Sequence, residues 1–235
     1  MPAPGVYSTL PQLEQIGLTF PRSVIYNLPT PALYEEAIKR GEAHIAYRGP
    51  IVIDTRPHTG RAVQDRFVVE EPGSKQHIWW GQTNRAISEA AFSTLVARIA
   101  AYYQHKDVFV QDCFAGADPE HSIPLRVVTE TALHSLFART MFIHSKDHDF
   151  SAHVPDITIL HAPKFHAVPH LDFTRSDTFI VIHPTRKLVL IGGTLYAGEI
   201  KKSVFSILNY LMPQRGIMSM HCSANIGPDD DTSVF

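Results

Sequence analysis

The chain has 235 residues, 44% of them apolar, and a net charge of -2 at pH 7, so it can bury a sizeable core as one large α/β domain or two small ones. Its Lys and Arg residues are scattered and balanced by acidic ones, which argues against nucleic acid or an anionic membrane as partner. Cys113 and Cys222 lie far apart with no CxxC or Cys/His zinc spacing; no disulfide framework or structural zinc is expected, and a reducing cytosol fits. Met1-Pro2-Ala3-Pro4-Gly5 lacks a basic stretch followed by an apolar segment, and no apolar run nears the ~20 residues of a membrane span. The expected location is cytoplasmic.

After a Pro-rich entry, Thr30-Pro31 predicts an N-cap with proline at the first helical position, and Leu33, Ala37 and Ile38 share an apolar face up to Gly41. Residues 44–47 and 51–53 read as strands meeting at the turn Arg48-Gly49-Pro50. The polar run Asp54-Thr55-Arg56-Pro57-His58-Thr59-Gly60-Arg61 reads as a loop at a strand end, and residues 67–69 as a return strand. Ser88 predicts the cap of a helix whose Phe92, Leu95, Val96, Ile99 and Tyr103 follow helical spacing. Short buried strands are expected at 108–110 and 125–128, then a helix over 130–143 with Ala132, Leu136 and Phe137 apolar. Apolar runs at 157–160, 179–182 and 188–191 read as strands separated by polar, Pro-containing loops. A helix over 198–211 follows, with Val204, Ile207, Leu208 and Leu211 on one side, then a strand at 217–220 and a last apolar run, Ser233-Val234-Phe235. The fold class is α/β with a mixed sheet.

Several residues can carry chemistry. Lys201 and Lys202 sit near the start of a helix, where the dipole disfavours cations, so an anion is expected nearby. If Gly192-Gly193 lets the backbone turn tightly against a ligand, Tyr196 and one lysine can meet a carboxylate or phosphate there; two solvated surface lysines are the alternative. His221, at a strand end beside Cys222, can ligate a metal, bond a phosphate, or be an ordinary polar residue. Arg61 can offer its fork to a carboxylate or be a plain loop arginine. His166, His170 and Asp172 have metal-ligand types but no helix to align them. Cys113, in Asp112-Cys113-Phe114-Ala115-Gly116-Ala117-Asp118, lacks a histidine base at useful spacing and reads as a buried structural cysteine. No G-x-x-x-x-G-K-S/T phosphate loop occurs within the chain.

Val110-Gln111-Asp112-Cys113-Phe114-Ala115-Gly116-Ala117-Asp118-Pro119, Arg126-Val127-Val128-Thr129-Glu130, His134-Ser135-Leu136-Phe137-Ala138-Arg139-Thr140-Met141-Phe142-Ile143 and residues 190–202 and 209–227 together resemble the ATP-dependent phosphoenolpyruvate carboxykinase family. The resemblance implies an enzyme that converts oxaloacetate and ATP to phosphoenolpyruvate, CO2 and ADP in gluconeogenesis, with Mn2+ and Mg2+ as metals. It implies an N-terminal substrate-binding domain over 1–215 and, over 216–235, the first strand region of a C-terminal nucleotide-binding domain whose remainder is missing. By resemblance, Arg61 holds the substrate carboxylate and Tyr196 positions substrate or CO2. Lys202 ligates Mn2+ beside substrate and ATP, and His221 shares that metal and contacts the ATP γ-phosphate. Lysine coordinates only as a neutral amine, a form that the adjacent cation Lys201 and the metal both favour.

Where the family commonly continues Ser-Pro-Lys-Asp after Thr-Gly-Arg, this chain has Ala62-Val63-Gln64-Asp65, which alters the substrate loop. The family's P-loop, its metal-binding aspartate and a later arginine have no counterpart, so the isolated chain is expected to be inactive and its terminal strand unpartnered. The alternative is a non-catalytic carboxylate-binding or interaction domain, or the remnant of a decayed gene.

Overall fold

The computed structural model describes residues 4–7, 11–144 and 153–235; the first residues of the Pro-rich entry lie outside them. In chain order the elements are β1 (Gly5–Tyr7), α1 (Pro11–Glu14), β2 (Ser23–Tyr26), α2 (Thr30–Lys39), β3 (His44–Ile45), β4 (Ile51–Val52), β5 (Arg66–Glu70), β6 (Arg85–Ser88), α3 (Glu89–Tyr103), β7 (Asp107–Ala115) and β8 (Ile123–Thr129). Then come α4 (Ala132–Met141), β9 (Ile157–Ala162), α5 (Pro169–Asp172), β10 (Phe179–His183), β11 (Leu188–Gly192), α6 (Gly198–Gln214), β12 (Ala224–Ile226) and β13 (Thr232–Val234).

Nine strands form one mixed sheet in the order β1-β2-β7-β8-β9-β11-β10-β5-β6. Its middle is buried on both faces, which is why its strands read as unbroken apolar runs. Alternate residues serve opposite cores: Val128, Leu160, Val181 and Leu190 pack with Phe92, Leu95 and Ile99 of α3. Val127, Ile159, Ile180 and Ile191 pack with Ile200, Val204 and Ile207 of α6. A third cluster seats α2 and α4 against Ile25 and Phe109. The expected α/β mixed-sheet architecture is therefore present.

Local signals explain most boundaries. Ser88 caps α3, its hydroxyl accepting from Ala91 N–H at 3.2 Å. In α2 the cap is Pro29, without a side-chain bond, so Thr30 lies one position inside the expected boundary. The helix expected over 130–143 is shorter: Thr131 caps it, accepting from His134 N–H, and it runs from Ala132 to Met141. Strand β7 runs beyond the expected 108–110, through Asp112 and Cys113 to Ala115. Its polar residues are buried by pairing: Arg126 donates to both Asp112 carboxylate oxygens at 2.7 Å, and Tyr26 Oη adds a third bond at 2.8 Å.

The end of the chain departs further from expectation. Residues 217–220 form no strand, because Ile217 is tied back to the helix end by its N–H to Met212 C=O at 3.0 Å. Strand pairing begins later, in the antiparallel hairpin of β12 and β13. The last strand thus has a partner, although both strands are exposed.

Candidate active site

One end of the sheet gathers the residues singled out in the sequence. Strands β8, β9 and β11 end there, and because β10 runs antiparallel to β11 and parallel to β5, those two strands begin there. Loops beyond strand carboxyl ends are where α/β sheets build binding sites. Here the loop before β5, the segment before β10 and the turn after β11 converge.

The glycines of that turn are demanded by contact. A Cβ at Gly192 would stand 2.4 Å from the Phe179 ring, and one at Gly193, whose φ is +70°, would stand 2.6 Å from Asp177 C=O. A Cβ at Gly198 would meet the Tyr196 ring at 2.5 Å, so the ring folds over the first residue of α6. Tyr196 N–H donates to Thr194 Oγ1 at 3.1 Å, which fixes the backbone carrying the ring.

Two buried histidines support this turn from below. His134 and His161 donate from Nε2 to Leu195 C=O at 2.9 Å and Thr194 C=O at 3.2 Å. Their rings meet edge to face, 4.4 Å apart. Burial lowers the pKa of His134 to about 4 and pushes His161 well below its ordinary value, so both are neutral donors at physiological pH.

Glu199, in the first turn of α6, clamps the Thr59-Gly60-Arg61 loop. It is buried and accepts from Ala62 N–H at 2.8 Å, with Arg61 Nε 4.0 Å from its other oxygen. Burial raises its pKa, against the pull of that N–H and of Arg61 and Arg66. A second tie holds the same loop: Thr178 Oγ1 donates to Gly193 C=O at 2.9 Å and so accepts from His58 Nε2, also at 2.9 Å. Arg61 remains about one-third exposed, open to a ligand on its free side.

One turn along α6, Lys202 Nζ and His221 Nε2 lie 2.9 Å apart, one donating to the lone pair of the other. Phe205 backs both, its centroid 5.5 Å from the His221 ring and 5.7 Å from Lys202 Nζ. The two nitrogens suit a shared ion: cis donors on an octahedral ion at ~2.1 Å stand ~3.0 Å apart. Imidazole and amine nitrogens favour a first-row transition ion over Mg2+. Lys201 projects into solvent.

Cys113 is fully buried and burial pushes its thiol pKa up. Asp172 is buried against Arg98 and Val168 N–H, His166 pairs with Asp177 at 2.9 Å, and His170 is exposed in α5. Among the described residues no three His, Cys, Asp or Glu side chains converge on a metal site. Residue-by-residue reading passed over His58, Arg66, His134, His161 and Glu199 as site residues. Only Glu199 carried a local signal, an acid in the first turn of a helix that begins with a cationic pair.

The phosphoenolpyruvate carboxykinase family profile matches residues 22–235. Phosphoenolpyruvate carboxykinase (ATP) of a Geobacter species is 49% identical over 223 residues, covering 95% of this chain and 42% of the relative. The proteins of the same name from Thermus thermophilus and Mesorhizobium japonicum are 47% identical over 228 residues and 48% over 223, again with 95% of this chain and 43% and 41% of the relatives covered. The chain thus spans about two-fifths of the length of these curated relatives. With the profile covering nearly all of it, the chain belongs to the phosphoenolpyruvate carboxykinase family.

Proposed function

We propose that this chain supplies the substrate side of an ATP-dependent phosphoenolpyruvate carboxykinase, which converts oxaloacetate and ATP to phosphoenolpyruvate, CO2 and ADP. The observation that carries this reading is the 2.9 Å pairing of Lys202 with His221 at the sheet end that also holds Tyr196, Arg61 and Glu199. In this reading residues 1–215 are the substrate-binding domain, and 216–235, which hold the separate β12–β13 hairpin, begin a nucleotide-binding domain. A cytoplasmic location accords with the activity, and among the described residues no helix is long and apolar enough to cross a membrane.

Arg61 grips a substrate carboxylate with its free donors while Glu199 and the His58–Thr178 contact hold its loop still. Tyr196, fixed over Gly198, orients the substrate or the departing CO2. The carbon–carbon bond to the leaving carboxylate breaks, its electron pair forms the enolate, and the enolate oxygen takes the γ-phosphoryl group as the bond to ADP breaks. Lys202 and His221 would hold Mn2+. When bound, that ion supplies Lewis-acid stabilisation of the enolate and phosphoryl oxygens. Mg2+ travels with the ATP phosphates, which suit its preference for oxygen.

Formation of phosphoenolpyruvate from oxaloacetate, ATP and Mn2+ tests the reading, alongside calorimetry with oxalate as a planar dicarboxylate. Without a G-x-x-x-x-G-K-S/T phosphate loop, the chain alone is expected to bind oxalate through Arg61 yet turn over negligibly. Enzyme-like turnover abolished by His221→Ala would contradict that inactivity, and oxalate binding indifferent to Arg61→Gln would contradict the substrate site.

A further inference from the structure

A cavity of about 340 Å³ lies along α6 beyond the Glu199 clamp, between the helix, β5, β10 and the loop that precedes β6. That volume is in the range of small-molecule sites. Ile182 and Ile207 line it together with the rings of Trp79 and Tyr210, and polar side chains such as Asn84, Ser206 and Asn209 share its walls. Trp79 is 90% exposed, an uncommon position for a large indole.

Among the described residues Arg66 is the one guanidinium that lines the cavity, which His77 lines too, and it is under-partnered. Arg66 Nε is buried without a hydrogen-bond partner. No carboxylate stands among the lining residues, and Glu199, the acid whose field reaches Arg66, already accepts from Ala62 and faces Arg61. A guanidinium held this way favours a planar anionic acceptor, because the fork pairs with two oxygens at once. No second Lys or Arg lines the cavity, so one negative charge matches it better than the two of a phosphate.

We propose that this cavity binds a small monocarboxylate with a flat apolar body, its carboxylate paired with Arg66 and its body against Trp79 and Tyr210. Asn84 also lines the cavity, its amide donating to Trp79 C=O at 2.9 Å and so holding that wall in place. The proposal is independent of the carboxykinase reading, since it uses neither Lys202 nor His221.

Tryptophan fluorescence provides the test, because Trp79 and Trp80 are the only tryptophans and the first lines the cavity. The full chain is titrated with benzoate and with benzamide, its neutral counterpart of nearly equal shape. The expected result is a saturable change with benzoate and affinity at least tenfold weaker for benzamide. Arg66→Gln should weaken benzoate at least tenfold, whereas Arg61→Gln should leave it within about twofold. Absence of saturation with benzoate, equal affinity for benzamide, or a loss in Arg61→Gln as large as in Arg66→Gln would overturn the proposal. Should Arg66→Gln fail to fold, the benzoate and benzamide comparison in the unmodified chain decides alone.

Discussion

Asp112 and Glu199 are both carboxylates with almost no exposed surface, yet they are held in different ways. Asp112, mid-sheet, receives two bonds from Arg126, itself buried, and a third from Tyr26, with Asn27 accepting its own N–H. Burial, reinforced by Asp112, drives the Tyr26 hydroxyl pKa far up, so that proton stays in the network. Glu199, at the sheet end, receives one backbone N–H and faces a guanidinium at 4.0 Å that is still partly open. The satisfied network leaves nothing for a ligand and works for stability; the under-satisfied edge leaves Arg61, Arg66, Lys202 and His221 with capacity to spare, as binding requires.

The largest effect should follow from breaking the first region. Asp112→Ala removes the carboxylate to which buried Arg126 donates two bonds and should cost about 3–5 kcal/mol in urea unfolding. A loss under about 1 kcal/mol would mean that the network is not the stabilising centre.

Next comes acid, acting through the supports of the site. The folded-state pKa of His134, about 4, lies below its ordinary value of 6.5, and that of His161 is depressed too. The unfolded chain therefore binds protons first. For His134 that contribution is fully present above about pH 6.5 and is lost as pH falls toward 4, by roughly 3 kcal/mol. Stability curves of the unmodified chain and of His134→Gln should converge over that window, and parallel curves would contradict the assignment.

At the edge itself the expected effects are smaller in stability and larger in binding. Arg61→Gln should weaken oxalate at least tenfold, about 1.4 kcal/mol, in calorimetry, with little change in melting temperature. Glu199→Gln keeps an oxygen for Ala62 N–H but removes the counter-charge of Arg61, so a change of about three- to tenfold in oxalate affinity is expected. An unaltered affinity would reduce Glu199 to a loop tie.

These contrasts also explain what the sequence revealed. Strands β8 to β11 were legible because both faces are covered, and α3 was legible because Ser88 caps a clean apolar period. The length of β7 was hidden because Gln111 and Asp112 are polar and are buried through distant partners, Leu28 C=O and Arg139 for Gln111, and Arg126 and Tyr26 for Asp112. The pairing of β13, which falls on the last apolar run, was hidden because its partner β12 is exposed and bears no alternating pattern. Lys202 and His221 stood out by resemblance, but their contact across 19 residues is a tertiary fact. The roles of Glu199, Arg66, His134 and His161 depend on partners brought from distant loops, which no local period encodes.

Whether Lys202 and His221 form a nitrogen pair for a divalent ion while contributing little to folding can be read from Mn2+ binding, followed by electron paramagnetic resonance in the unmodified chain and in His221→Ala. One Mn2+ site is expected, weakened at least tenfold by the substitution while the melting temperature stays within about 2 °C, as befits an exposed side chain. Equal Mn2+ binding by both proteins, or a fall in melting temperature comparable with that of Asp112→Ala, would contradict it.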